Sequence, residues 1–213
     1  MKYAILDTEG TGLFQYSLPA DAEGQPRLAS AAFLLAEEDA TQPGLVITHE
    51  CNFFIKPDGW VMGEEAGKIN GLTTEFLAEN GSPVSEVLAY YSSLTLDGRV
   101  LAAFNASHDT KHFRAELRRA GMPDLFETTP NICLMRACTQ ICKVPKKSGA
   151  GFKFPKLSEA CAFFKIEQPA AHSALGDALS AFAIMQHLHK ANRLPAPEVH
   201  FAKAKPEAAP TTA

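Results

Sequence analysis

Residues 1–12 read MKYAILDTEGTG. The apolar run from Tyr3 to Leu6 has the length and composition of a buried strand, so residues 2–6 are expected to be extended. The run stops at two acids one residue apart, Asp7 and Glu9, followed by Gly10 and Gly12. Side chains alternate along an extended chain, so Asp7 and Glu9 share a face while Thr8 points away. Neighbouring carboxylates repel each other, and a divalent cation with oxygen ligands is the simplest group to place between them. The glycines would let the backbone turn sharply and approach a ligand. Taken alone, the same pattern also fits a strand that ends in a solvated acidic turn.

Outward from this stretch, residues 11–26 carry turn formers and read as a loop. Apolar runs at 27–36 and 45–55 give a second and third strand, so the first three can form a meander. Helical spacing then dominates. A short helix is expected over 73–79, and another from Ser82-Pro83, with apolar positions at Val84, Val87, Leu88, Tyr91 and Leu94. Residues 99–104 read as a fourth strand and 107–120 as a helix closed by Gly121. Residues 131–135 fit either a short strand or a helix start. Helices follow at 156–164 and 173–190. Strands first, then alternating helix and strand, make a mixed-sheet α/β pattern. Residues 1–193 are expected to form one domain. Residues 194–213, rich in Pro and Ala, are expected to form a disordered tail.

The 213-residue chain is 46% hydrophobic and 21% charged, with a net charge of −4, ordinary values for a globular protein. That balance argues against a purely electrostatic nucleic-acid-binding module. No apolar stretch reaches the roughly 20 residues that span a bilayer, and the N-terminus lacks a signal-peptide pattern, so a cytoplasmic protein with no membrane partner is expected. The five cysteines are an odd number with no C-x-x-C pair, which favours free thiols over a disulfide framework or structural zinc.

Two further stretches carry chemistry. In AAFNASHDTKHF (residues 102–113) an apolar run feeds a helix start, and Asp109 falls in the first turn. There it complements the helix dipole, as Arg118 and Arg119 do at the far end. In AAHSALGDALSAF (residues 170–182), His172 and Asp177 are five residues apart, about 140° around a helix. They converge only if His172 lies on the loop leading in. The small residues around them, Gly176 among them, permit close approach of the helix to the sheet or a ligand.

Taken together and in order, these stretches resemble the DEDDh family of 3′–5′ exonucleases over most of residues 1–190. The first motif of that family resembles Asp7-Thr8-Glu9, the second Asn105 to Asp109 with Phe113, and the third His172 through Asp177. Residues 69–88 are similar to the family segment that lines the 3′-terminal nucleotide. The sequence departs from the family at Gly10, where a second Thr is usual, at Phe104, where His is common, and at His108, where an aromatic is common.

The resemblance implies an RNase H-like fold with a central mixed five-stranded sheet and helices on both faces. It implies that Asp7, Glu9, Asp109 and Asp177 hold two divalent cations, Mg²⁺ or Mn²⁺, with His172 as general base. The substrate would be the 3′ end of single-stranded DNA or RNA, DNA favoured, released as nucleoside 5′-monophosphates. Thr8, Gly10, Leu72, Thr73, Phe104 and Asn105 are the expected substrate contacts, with Phe104 and Phe14 as candidates for stacking on bases. Lys146 and Lys147 lie in a lysine-rich stretch (143–156) suited to phosphates. A polymerase or a second copy of the chain is a conceivable partner. A catalytically inactive binding module is disfavoured, because all four acids and the histidine are present.

Overall fold

The computed structural model describes residues 1–39, 41 and 43–199. Its centre is a five-stranded sheet of order β3-β2-β1-β4-β5, formed by β1 (Lys2–Gly10), β2 (Leu28–Glu38), β3 (Leu45–Phe54), β4 (Val100–Ala103) and β5 (Asn131–Cys133). The first three strands are an antiparallel meander, while β4 and β5 run parallel to β1. The sheet is therefore mixed. β1 is its central strand, which explains why its first residues are apolar without alternation: both faces are covered.

The period of two along β1 divides the core. Tyr3 and Ile5 face α7 (Ala174–Lys190), packing with Ala178, Ala181, Ile184 and Met185. Ala4 and Leu6 face α3 (Val84–Leu96) and α4 (Ala106–Arg119), packing with Val87, Leu88, Phe113 and Leu117. Between these last two helices the rings of Tyr91 and Phe113 stack with centroids 4.2 Å apart. Helices on both faces of a mixed sheet are the arrangement expected above.

Several local expectations shift. β1 does not stop at Leu6 but runs to Gly10, so both acids are strand residues. Antiparallel pairing with β2 carries it on, until a bulge between Glu9 and Gly10. A helix that the sequence pattern did not announce, α1 (Glu64–Asn70), has no buried residue and so no apolar periodicity to read. It ends at Gly71, which adopts the left-handed conformation with φ 73°. It is followed by α2 (Thr74–Asn80), and β5 passes directly into α5 (Leu134–Cys142), so both readings of residues 131–135 hold in part. α6 (Leu157–Phe164) then precedes α7.

The boundary at residue 193 also moves. Leu194 packs on the core, and Glu198 pairs antiparallel with Asn131 of β5 through two backbone hydrogen bonds. The remainder of the expected tail, residues 200–213, lies outside the described residues. All five cysteines are free, and no helix among the described residues is long and apolar enough to cross a membrane.

Candidate active site

The acids converge from three elements. Asp7 and Glu9 project from β1 toward the α7 side, and Asp177 enters from the first turns of α7. One carboxylate oxygen from each of these three lies within 4.8 Å of the others. Small residues make this approach possible. Ala174 and Ala178 are buried against the sheet face below. At Gly176 any Cβ would stand 2.2 Å from the Ala170 carbonyl oxygen, so only glycine lets the preceding loop close onto the helix start. Ser173 caps α7, its hydroxyl accepting from the Gly176 N–H at 3.1 Å.

Asp109 arrives from the opposite side of the sheet, in the first turn of α4, and is 3% exposed. Its Oδ1 accepts from both the backbone N–H and the hydroxyl of Thr8, at 3.1 and 3.0 Å. It therefore flanks the compact group of three instead of belonging to it, yet it stands close enough that its charge acts strongly on Asp7.

The electrostatics are those of a site awaiting positive charge. Burial raises the Asp7 carboxyl well above its ordinary range, and Asp109, Asp177 and Glu9 add repulsion. Burial lifts Glu9 to about 7, against the pull of a hydrogen bond from Asn70. Asp109 is likewise pushed by burial to about 7, with the Thr8 bonds opposing. Asp177 is raised by burial and held back by His172. None of the four acids forms an ion pair with any Lys or Arg among the described residues. In addition, Asp177 Oδ1 is buried with no hydrogen-bond partner. A buried, orphaned carboxylate oxygen within a cluster of like charges costs free energy unless something cationic shares it. Such an all-oxygen donor set fits a hard divalent ion such as Mg²⁺ or Mn²⁺.

His172 lies on the loop before α7, as its spacing from Asp177 required. It is exposed, with φ 65°, and its imidazole acts on the Asp177 charge. A non-glycine residue at positive φ is uncommon and costs of order 1–3 kcal/mol, a strain of the kind found at functional sites.

Other expected contacts are placed differently. Thr8 is 6% exposed on the far face, where alternation puts it, and it anchors Asp109 instead of meeting solvent. Gly10 does not make a left-handed turn. It is glycine because a Cβ there would stand 2.3 Å from the His112 ring, which is itself buried between Phe14 and His108. Phe104 and Phe14 are 6% and 5% exposed, so as candidate stacking rings both are corrected to packing residues. Asn105 is half-buried at the start of α4, and its carbonyl accepts from the His108 and Asp109 N–H groups.

Leu72 lines a cavity of about 190 Å³ beside Glu9, together with Asn70, Ser30, Asn52 and Ser173. Thr73 caps α2, accepting from the Phe76 N–H at 3.1 Å. Lys146 and Lys147 are exposed on a loop pinned by pairing of Pro145 with Phe152, whereas Lys153 is neutralised by Glu159. Asn70, the last residue of α1, went unnoticed in the sequence: its Nδ2 donates to Glu9 Oε2 at 3.4 Å. The only available signal was a polar residue beside Gly71 within the 69–88 segment.

A family model described as an exonuclease (RNase T) matches residues 4–185. No curated protein matches the sequence. Among solved structures, E. coli exonuclease I in complex with a dT13 oligonucleotide aligns with TM-score 0.68 and 20% identity over 88% of this chain. The chain spans 40% of the length of that protein. The nuclease domain of 3′hExo, a DEDDh family member bound to rAMP, aligns with TM-score 0.67 and 14% identity, covering 92% of this chain and 96% of that one. A 3′-exonuclease solved for its recognition of the histone mRNA stem-loop aligns with TM-score 0.68 and 13% identity over 92% of this chain and 66% of that one. At these identities the solved structures establish a shared RNase H-like exonuclease fold. With a family model matching residues 4–185, most of its length, the chain belongs to the RNase T exonuclease family.

Proposed function

We propose that the chain is a divalent-metal-dependent 3′–5′ exonuclease that removes nucleoside 5′-monophosphates from the single-stranded end of a nucleic acid, with DNA the favoured substrate. The observation that carries this reading is the meeting of Asp7, Glu9 and Asp177, flanked by Asp109, with no ion pair from any of the four to a Lys or Arg among the described residues. Asp7, Glu9 and Asp177 would hold the ions, two by the family resemblance, with Asp109 completing the set through the oxygen that Thr8 leaves free. Bound there, Mg²⁺ or Mn²⁺ would supply Lewis-acid stabilisation of the charge that builds on the scissile phosphate and the departing 3′ oxygen.

The residues of the chain do the rest. An imidazole nitrogen of His172 takes a proton from the attacking water as general base. Its exposure lets it pass that proton to solvent between turnovers. Asn70 steadies the Glu9 carboxylate, and Leu72 offers an apolar wall beside it for the terminal nucleoside. Lys146 and Lys147 contact phosphates of the incoming strand.

The test is degradation of matched 5′-labelled single-stranded DNA and RNA in Mg²⁺, Mn²⁺ and EDTA, alongside Asp7→Ala. A metal-dependent ladder shortening from the 3′ end, abolished in the variant, is the expected result, and the faster ladder identifies the substrate. Substantial activity in Asp7→Ala would refute the site.

A further inference from the structure

The sheet face that carries the carboxylates does not end at β1. In the antiparallel register Asp7 stands opposite Ala32 and Ala32 opposite Asn52, while Glu9 stands opposite Ser30 and Ser30 opposite Phe54. Residues directly opposite one another in a sheet point to the same face. That face is the one covered by α7, because Ala32 packs in one cluster with Ala174 and Ala178. Two rows of side chains therefore run from the acids across β2 to the edge strand β3, about 9–10 Å from β1.

The residues in the middle of these rows, Ala32 and Ser30, are small. Over Ser30 lies the cavity of about 190 Å³ already described, with Glu9 on the β1 side and Asn52 and Phe54 on the β3 side. Leu72 and Leu175, from the first turn of α7, supply apolar walls. The volume is well below the roughly 300–1,000 Å³ of pockets that enclose drug-sized ligands, so it takes one ring system and not two nucleotides.

Its chemistry separates the parts of a nucleotide. Apart from Glu9, no charged side chain lines the cavity, so it suits the uncharged end of a substrate whose phosphate sits at the acids. With the phosphate there, the base lies one sugar further along, toward β3. The polar groups on that side are fixed. The Ser30 hydroxyl is buried and donates to Asn52 Oδ1 at 3.4 Å. The Asn52 NH₂ group, with two donor hydrogens, has no partner among the described residues. Apolar walls for the ring faces and a free amide donor for the ring edge are what a nucleobase requires.

We propose that Asn52, oriented by Ser30, reads the base of the 3′-terminal nucleotide, its free NH₂ group donating to an acceptor on the base edge. The inference rests on the nuclease reading given above. It makes the identity of the terminal base a determinant of efficiency.

The experiment measures kcat/KM in Mg²⁺ for release of the first nucleotide from single strands that differ only at the 3′ end, which carries adenine, cytosine, guanine, thymine or an abasic residue. The wild-type chain should range over about tenfold among the bases, the worth of one hydrogen bond made or left unmade. Asn52→Ala should narrow that range to about twofold by slowing the best base, with a much smaller change on the abasic end. Ser30→Ala, which frees the carboxamide to turn, should narrow it in part. A wild-type chain indifferent to the terminal base, a variant that keeps the wild-type range, or a loss equally large on the abasic end overturns the proposal. Should the wild-type chain cleave none of these substrates, the nuclease reading fails, and thermal shifts with the corresponding nucleoside 5′-monophosphates decide the role of Asn52. A ranking of the bases that Asn52→Ala erases upholds it, and absent binding or an unaltered ranking overturns it. Asn52 is exposed on an edge strand, so its truncation leaves the core intact.

Discussion

Replacing Glu9 with Gln should make the metal-free protein more stable while damaging its function. In the folded protein burial lifts the Glu9 carboxyl from 4.5 to about 7. A folded-state pKa above the unfolded value means that the native state binds the proton more tightly. The associated stability is fully present below pH 4.5 and is lost as pH rises through about 7. The shift corresponds to roughly 3 kcal/mol at pH 8. Gln has nearly the same shape, carries no charge, and keeps an oxygen for the Asn70 amide. In EDTA at pH 8, Glu9→Gln should therefore exceed wild type by about 3 kcal/mol, or roughly 6–12 °C in Tm for a chain of this length. At pH 4.5 the two proteins should nearly coincide, because wild-type Glu9 is then protonated. Saturating Mg²⁺ should reverse the order at pH 8, since ligand that binds only the native state stabilises it and the variant has lost a ligand. Thermal and urea unfolding of both proteins at the two pH values, with and without Mg²⁺, reads all of this. A variant no more stable than wild type at pH 8 in EDTA would refute the claim that burial makes the Glu9 charge unfavourable in the metal-free folded protein.

Three other substitutions probe the supports of the site. His172→Ala should lower kcat by two or more orders of magnitude and remove the limb of the pH–rate profile that the base controls, while Mg²⁺-induced stabilisation persists; an unaltered profile would exclude it as the base. Gly10→Ala, whose Cβ would stand 2.3 Å from the His112 ring, should destabilise the protein by about 1–3 kcal/mol in urea unfolding. Thr8→Val removes the hydroxyl that donates to Asp109 Oδ1 and should cost about 1 kcal/mol of stability. It should lower kcat more than it raises KM, since Thr8 is buried away from solvent; a change confined to KM would return Thr8 to the substrate contacts.

The sequence by itself carried the parts of this protein that are local. The run Tyr3–Leu6, the alternation that puts Asp7 and Glu9 on one face, and the helix-start positions of Asp109 and Asp177 follow from periods of 2 and 3.6 and from capping chemistry. Those rules also required His172 to sit on a loop, where it does. Contacts between distant segments are not periodic, and only the tertiary structure decided them. Thr8 looked like part of the substrate motif until α4 arrived on its face with Asp109, 101 residues later. Gly10 looked like a turn residue until the His112 ring filled the space above it. Phe104, at a strand end, was a candidate for stacking on a base, but the start of α5 packs on it, with the Met135 N–H bound to its carbonyl. α1 left no apolar pattern because it buries nothing, yet it delivers Asn70 to Glu9. Burial and like-charge repulsion are sums over neighbours brought together by folding. The acids and their spacing could therefore be read from the chain, while their raised affinity for protons came only from where the fold put them.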